Sequence, residues 1–278
     1  MFNFWPAYIR ALIAAIALSF SISGSGRAAA VDTEELYRAT AMITGNFEYE
    51  KLRGFAECLE QVLVKVSGDP DLAGSPEIVA LGIRAGDFVD NYELVDRMAG
   101  IPVHDEQGTR ERPHLLTVEF SREKIDAALQ QLGRSAWLER PLIAVAIGMD
   151  NGTRQFVLTQ EAELGSVHRQ TFADISEELG LEISFLTKQQ VASGSFDPAT
   201  LGTATSKQLD TLRGAVNSEV LLAGSLIWNE QAFRWSSRWQ LAAGSTLDVW
   251  ETEGISFDAV FRRTLENTMQ TLSRAARE

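Results

Sequence analysis

A chain of 278 residues with 38 acidic and 25 basic side chains carries a formal charge of −13, and 45% of its residues are hydrophobic. That balance argues against nucleic acid or an anionic lipid surface as the partner, because binding a polyanion needs clustered Lys and Arg. The length is enough for a self-sufficient core, in one large domain or two modest ones.

The first residues read as a secretory leader. Arg10 is the only charge before the apolar run ALIAAIALSF, Ala11 to Phe20, and small residues lead on to Ala28-x-Ala30. Such a run is too short to span a bilayer, which takes about 20 residues, and the Ala pair fits a signal peptidase site. The expected mature chain starts near Val31, after cleavage near Ala30, and resides in the periplasm. Cleavage removes Arg10 and Arg27 and no acid, so the charge of −13 falls by two, to about −15. No cysteine follows the apolar run, so no lipid anchor is expected, nor strong membrane binding once the leader is gone. The single cysteine, Cys58, lies beside an apolar helical stripe and reads as a buried small hydrophobe.

LYRATAMIT, residues 36–44, is rich in strand formers. It leads through Gly45 and Asn46 into a helix over about 48–66. On that helix Leu52, Phe55, Leu59, Val62, Leu63 and Val66 recur at spacings of three and four, which makes one buried stripe. Lys51, Arg53, Glu57, Glu60 and Lys65 fall on the opposite, solvated face. Ser67 and Gly68 stop the helix, and Asp69-Pro70-Asp71 follows as a turn. A calcium loop would need further oxygen ligands at set intervals, and the next acid is Glu77, so the turn is expected to be structural.

Ser75 and Pro76 open a short helix to residue 81. Residues 86–98 suggest another helix, with a strand around YELV. Residues 100–120 read as a hairpin-like excursion ending in a strand from His114 to Phe120. Ser121 caps a helix with Ile125, Ala128, Leu129 and Leu132 inward. After the linker-like GRSAWLERP, the continuous apolar run LIAVAIG predicts a buried central strand. A helix over about 164–179 follows, with Val167, Phe172, Ile175 and Leu179 inward, then the strand LEISFL. Residues 187–204 are expected to be loop, followed by a short helix ending near Gly214. EVLLAGSLIWN, FRWSSRWQL and TLDVWETEG predict a three-strand meander. In its middle strand Phe233, Trp235, Ser237, Trp239 and Leu241 share the apolar face. A helix from Ser256 to about Arg274 closes the chain, covering the sheet with Val260, Phe261, Leu265, Met269 and Leu272.

The expected fold class is α+β, with tandem small α/β domains at 31–134 and 135–278. The second carries a mixed or antiparallel sheet of about five strands, with helices on one face, the meander and the C-terminal helix.

On VLVKVSGD, LIAVAIGMDNG and RWQL with VWETEGISFDAVFRRTLENTMQTLSR, the chain resembles domain-of-unknown-function family 2066 across the mature region. The resemblance implies an exported protein of a Gram-negative envelope and supplies no catalytic residue. By topology alone, the second unit is also similar to small α/β domains of periplasmic assembly factors, such as the N-terminal domain of the Tol-Pal propeller protein.

Chemical signatures are sparse. His104, His114 and His168 are far apart and form no i, i+4 pair, so no metal site is expected. A G-x-S-x-G elbow, a phosphate loop and a dinucleotide fingerprint are missing from the sequence, and no cofactor and no catalytic residue are assigned. Ser166 near His168 reads as the start of an ordinary helix. Asp87 with Asp90, and Glu177 with Glu178, read as solvated helical faces. Four tryptophans crowd the meander. Trp235 and Trp239 fall on its apolar face, whereas Trp228 and Trp250 are the candidate binding surface. These features point to a non-enzymatic periplasmic protein that binds an envelope or inner-membrane protein. The alternatives are an envelope hydrolase using Asp and Glu, and a glycan or small-ligand binder at the Trp-rich sheet.

Overall fold

The computed structural model describes residues 33–101, 111–161, 163–194 and 197–277. The expected leader, the middle of the hairpin and His104 lie outside the described residues. No described helix is long and apolar enough to cross a membrane.

The chain first forms α1 (Thr33–Leu36) and β1 (Arg38–Thr44), then α2 (Glu48–Ser67) and α3 (Pro76–Gly82). β2 (Val89–Asp96), β3 (Pro113–Phe120) and α4 (Arg122–Gln131) follow. The three strands make an antiparallel sheet in the order β1-β3-β2. Alternation puts Ala39, Ala41 and Ile43 of β1, and Leu116, Val118 and Phe120 of β3, on the buried side. The α2 stripe of Phe55, Leu59, Val62, Leu63 and Val66 packs there as predicted. Leu52 does not join it and is half exposed, at 50%.

The helix expected over 86–98 is instead a 3-10 turn, Ala85–Phe88, followed by β2. The open edge of β3 accounts for this difference. Pairs from Val89↔Phe120 to Asp96↔His114 satisfy main-chain groups there, and strand pairing of this kind overrides a weak local helical pattern.

The second sheet contains β4 (Ile143–Asp150), β5 (Gln155–Leu158), β6 (Ile183–Phe185), β7 (Val220–Asn229), β8 (Arg234–Ala243) and β9 (Thr246–Gly254). Its order is β5-β4-β7-β8-β9, with β6 also on β4. β4 runs parallel to β6 and β7, while the other pairings are antiparallel, so the sheet is mixed and has one strand more than expected. Its helices are α5 (Ser166–Glu178), α6 (Lys188–Gly194), α7 (Ser206–Val216) and α8 (Phe257–Ala275).

Both faces of this sheet are covered, where one was expected. On one face Phe172 of α5 stacks with Trp239 and meets Phe261 of α8 edge-on. On the other, Leu201, Leu209 and Leu212 cover Ala144, Ala146, Leu221 and Ala223. This is why β4 reads as an unbroken apolar run: side chains on both faces are buried. The segment expected as loop therefore folds, into α6 and a 3-10 turn at Pro198–Thr203. Ser225 Oγ donates to Pro198 O at 2.9 Å and accepts from the Gly202 amide at 2.9 Å. The turn lies so close to β4 that a Cβ on Gly148 would stand 1.8 Å from Pro198 O.

Two residues expected to face the core do not. Val167 is 65% exposed on the outer side of α5. Phe233, 71% exposed with φ +49°, belongs to the β7–β8 turn, and β8 begins one residue later. Asn229 Oδ1 closes that turn by accepting from the Gln231 and Ala232 amides.

The turn after α2 is structural, as expected, and it also seats the last helix. Gly68 adopts φ +68° at the helix end, and a Cβ there would meet Ser273 Cβ and the Trp137 ring, each at 2.7 Å. Ser273 Oγ donates to Gly68 O at 2.7 Å, and Arg277 donates to Ser67 O. Gln270 Nε2 donates to Asp71 at 2.7 Å, and Arg134 donates to Asp69 at 2.6 Å. The Ser-Gly-Asp-Pro-Asp turn is thus tied to α8 and to the segment after α4 through Ser67 O, Gly68 O, Asp69 and Asp71. Gly68→Ala is expected to lower unfolding stability by about 2–4 kcal/mol, since left-handed strain adds to a steric clash. Ser273→Ala should cost only about 1 kcal/mol, the value of one hydrogen bond. Urea midpoints of the two variants against the native chain check the ranking, and equal midpoints would refute the seating role.

Candidate functional site

A cleft of about 710 Å³ opens where the two sheets approach each other. One wall is Glu35 and Leu36 of α1, Arg38 to Thr40 of β1, and Gln61 and Lys65 of α2. The facing wall is Asp174, Glu177 and Glu178 at the end of α5, then Gly180 to Ile183 leading into β6. Five carboxylates line the space, against Arg38 and Lys65. A shallower extension of about 360 Å³ shares Thr40, Gln61 and Glu178 and adds Glu60, Arg262 and Glu266. Burial pushes the Glu266 carboxyl above its usual value, and Arg262 and Arg263 oppose that shift.

The wall formed by β1 is closed to further pairing by side chains of α2. Lys65 Nζ donates to Glu35 O at 3.1 Å and Arg38 O at 2.5 Å, and Gln61 Nε2 donates to Thr40 O at 3.3 Å. Carbonyls that would otherwise present an open strand edge are thereby occupied. Lys65, expected on the solvated face of its helix, is in fact buried. Its long stem crosses the apolar wall, and its ammonium reaches the strand edge.

Arg140, a second buried cation, binds the main chain of two residues that line the cleft, Lys65 and Gly180. Its guanidinium donates to Trp137 O, Leu179 O, Gly180 O and Lys65 O and lies 4.4 Å from the Trp137 ring centroid. Lys65 O lies in the last turn of α2 and Leu179 O just past α5, so one cation joins two helix C-termini, where the helix dipoles favour positive charge. Burial pulls the Arg140 pKa down to about 10, and it stays cationic at neutral pH.

Among the cleft carboxylates, Glu35 pairs with Arg38 at 2.9 Å, Glu178 pairs with Arg262, and Asp174 accepts from Gln170 at 2.7 Å. Glu182 has one carboxylate oxygen buried without a hydrogen-bond partner among the described residues, and burial raises its pKa. No group of three or more His, Cys, Asp or Glu that could hold a metal ion occurs among the described residues.

The candidate surface Trp228 and Trp250 lies elsewhere, on the face of the second sheet that carries α5 and α8. Trp228 stands opposite Trp235 with ring centroids 5.3 Å apart, and Trp250 stands opposite Trp239 on β9. Both are half-buried, and β8 separates them. Trp239 is fully buried and Trp235 packs partly against the core, which agrees with their expected role. His168 joins this aromatic end, 4.4 Å from Phe257 and 6.2 Å from Trp235, and burial lowers its pKa. Ser166 lies with it in the first turn of α5. His114 on β3 donates from Nδ1 to Arg112 O at 2.9 Å. Asp87 lies 3.6 Å from Arg84, and Asp90 is exposed on β2. Of the acids singled out from sequence, only Glu177 and Glu178 reach the cleft. Glu35, Lys65 and Glu182 carry no site motif: Glu35 follows another acid, and Lys65 and Glu182 are single charges within apolar runs.

A family model described as a domain of unknown function (DUF8605) matches residues 30–138. No curated protein matches the chain. Among solved structures, the LpoB C-terminal domain from Salmonella enterica is similar at 12% identity, covering 41% of this chain and 80% of that one, with a TM-score of 0.26. A likeness that low supports no statement about this chain's role.

Lys65 gives the cleft a pH signature. Burial lowers its pKa from 10.5 to about 8, whereas burial raises that of Cys58 from 9.0 to about 12. A buried base with a depressed pKa weakens the fold at low pH, and the penalty is relieved as pH rises from about 8 towards 10.5. Cys58 acts in the opposite sense above about 9, where the unfolded thiol ionises and the folded one does not. Stability is therefore expected to rise between pH 8 and 9, with a slope approaching 1.4 kcal/mol per unit. Urea unfolding across that range should show the rise in the native chain and lose it in Lys65→Met.

Proposed function

We propose that this protein is an exported, non-enzymatic binding module that holds a segment of another envelope protein in the cleft between its sheets. The observation that carries this reading is the cleft itself, a concave site at the junction of two structural units, the place where ligand sites are most often found. Its walls hold carboxylates and main-chain groups but no serine or cysteine paired with a histidine. The export signal read from Ala11 to Ala30, the resemblance to family 2066 and a boundary between residues 134 and 135 belong to the same proposal.

A second reading rests on a separate observation. Phe233 and Ile255, 71% and 86% exposed, flank the end of the sheet where Trp228 and Trp235 pair. Such an aromatic end suits stacking on sugars. Titration with peptidoglycan fragments should quench tryptophan fluorescence if a glycan binds there, with the effect lost in Trp228→Ala. A flat titration would remove this reading.

The main reading is tested by capture from membrane extract after chemical cross-linking. The native chain is expected to return the same partner repeatedly, and a Glu177→Lys, Asp174→Lys double variant should lose at least about tenfold of it. Failure to recover any reproducible partner, or equal recovery by the double variant, would count against the cleft. Turnover of peptidoglycan or peptides, abolished by Glu182→Gln, would favour the carboxylate hydrolase instead.

A further inference from the structure

We propose that the segment held in the cleft is an extended, Lys- or Arg-bearing stretch of polypeptide whose cationic side chain seats on Glu182 beside the open edge of β6. This deepens the protein-binding reading and rests on it.

The charges in the cleft are unevenly compensated. Glu35, Asp174 and Glu178 have partners within the chain, Glu177 acts electrostatically on Lys65, and the Lys65 ammonium is engaged by two main-chain carbonyls. Glu182 keeps a buried oxygen with no partner among the described residues. Native proteins rarely leave a buried acceptor unsatisfied, and one on a residue that lines a cavity is completed by water or, when the cavity is filled, by a donor on the ligand. Burial also raises the pKa of this carboxyl, the shift expected of an acid with no cation beside it.

The backbone decides the shape of the ligand. Ile143 donates its amide to Glu182 O, and Leu186 donates its amide to Val145 O, so the groups flanking Ile183 point towards β4. With the two-residue period of a strand, the N–H and C=O of Ile183 point away from β4. Ile183 lines the cleft, and the facing edge of β1 is occupied by Lys65 and Gln61. An incoming chain therefore meets the main-chain pair of Ile183, which has no partner among the described residues and lies next to Glu182, and this is strand addition on a small scale. A bare divalent cation is a poor occupant, because no three described ligand side chains converge. The excess of carboxylates disfavours an acidic peptide or a phosphate.

The probe is a fluorescein-labelled heptapeptide of alternating Lys and Val, read by anisotropy against the full mature chain, with a Glu-for-Lys counterpart and spermidine as controls. The Lys peptide is expected to bind, to weaken as salt rises, and to lose about tenfold in affinity with Glu182→Gln, which keeps side-chain shape and hydrogen-bonding capacity. N-methylation of the peptide backbone should weaken binding by several-fold while leaving its charge intact. Binding to the native chain should also fall as pH drops through the titration of Glu182, and that fall should be absent in Glu182→Gln. Unchanged affinity in Glu182→Gln, equal binding of the Glu peptide, or spermidine binding as tightly as the Lys peptide would each overturn the inference. A photo-cross-linker at Thr40 separates the two levels. Capture of an envelope protein through Thr40, without binding of the Lys peptide, keeps the protein-binding reading and removes this one. Loss of both removes both.

Discussion

The guanidinium of Arg140 is the contact on which the arrangement of the two sheets depends. It gathers carbonyls from the ends of α2 and α5 and from Trp137, and among the described residues it is paired with no carboxylate. A buried cation without a counter-ion is normally expensive, but here the negative ends of two helices stand in for one. Because those ends belong to different sheets, the same contact sets how closely α2 and α5 approach. The cleft is the gap that remains between them. Gly180, with φ +65°, lets the chain leave α5 where a Cβ would crowd Leu36 and Arg140.

A second junction, at the same C-terminal end of α2, works with the first. The turn after Ser67 presents carbonyls and carboxylates that α8 and Arg134 satisfy. Polar contacts of this type contribute modestly to net stability, yet each would be costly to leave unmade in a buried setting. They therefore act more on specificity than on overall stability, holding α8 in one register over the sheet. The apolar side of α8, with Phe261, Leu265 and Met269 fully buried, supplies the larger energy. A single buried cluster runs from Leu36 through α2 and the second sheet to Leu272.

Elements with strong periodicity were legible from residue order. The stripe of α2, the buried run of β4, the alternation in β8 and the helix at the end all fold as their patterns imply. The strand expected around YELV forms within β2, whereas the helix expected over 86–98 does not, because its acids mimic a helical face while the pairing partner β3 is distant in sequence. The 3-10 turn at Pro198 was taken for loop because Gly, Ser and Pro give no period, although Ser225 and Gly148 make a place for it. Phe233 left the core face because the hairpin needs a left-handed residue where the strand pattern predicts a strand residue.

The order of residues alone determined which segments become helices and strands and which of their faces are apolar, because apolar burial follows a short local period. It also determined the excess of negative charge. Tertiary structure alone decided which polar groups meet. Glu35 and Lys65 come from α1 and α2, and Glu177 and Glu182 from α5 and the segment before β6, and electrostatic environment depends on distance through space, which a local pattern does not encode. For the same reason Lys65 reads as a surface residue in sequence and is buried in the fold, where the Glu35 and Arg38 carbonyls at the edge of β1 receive its ammonium.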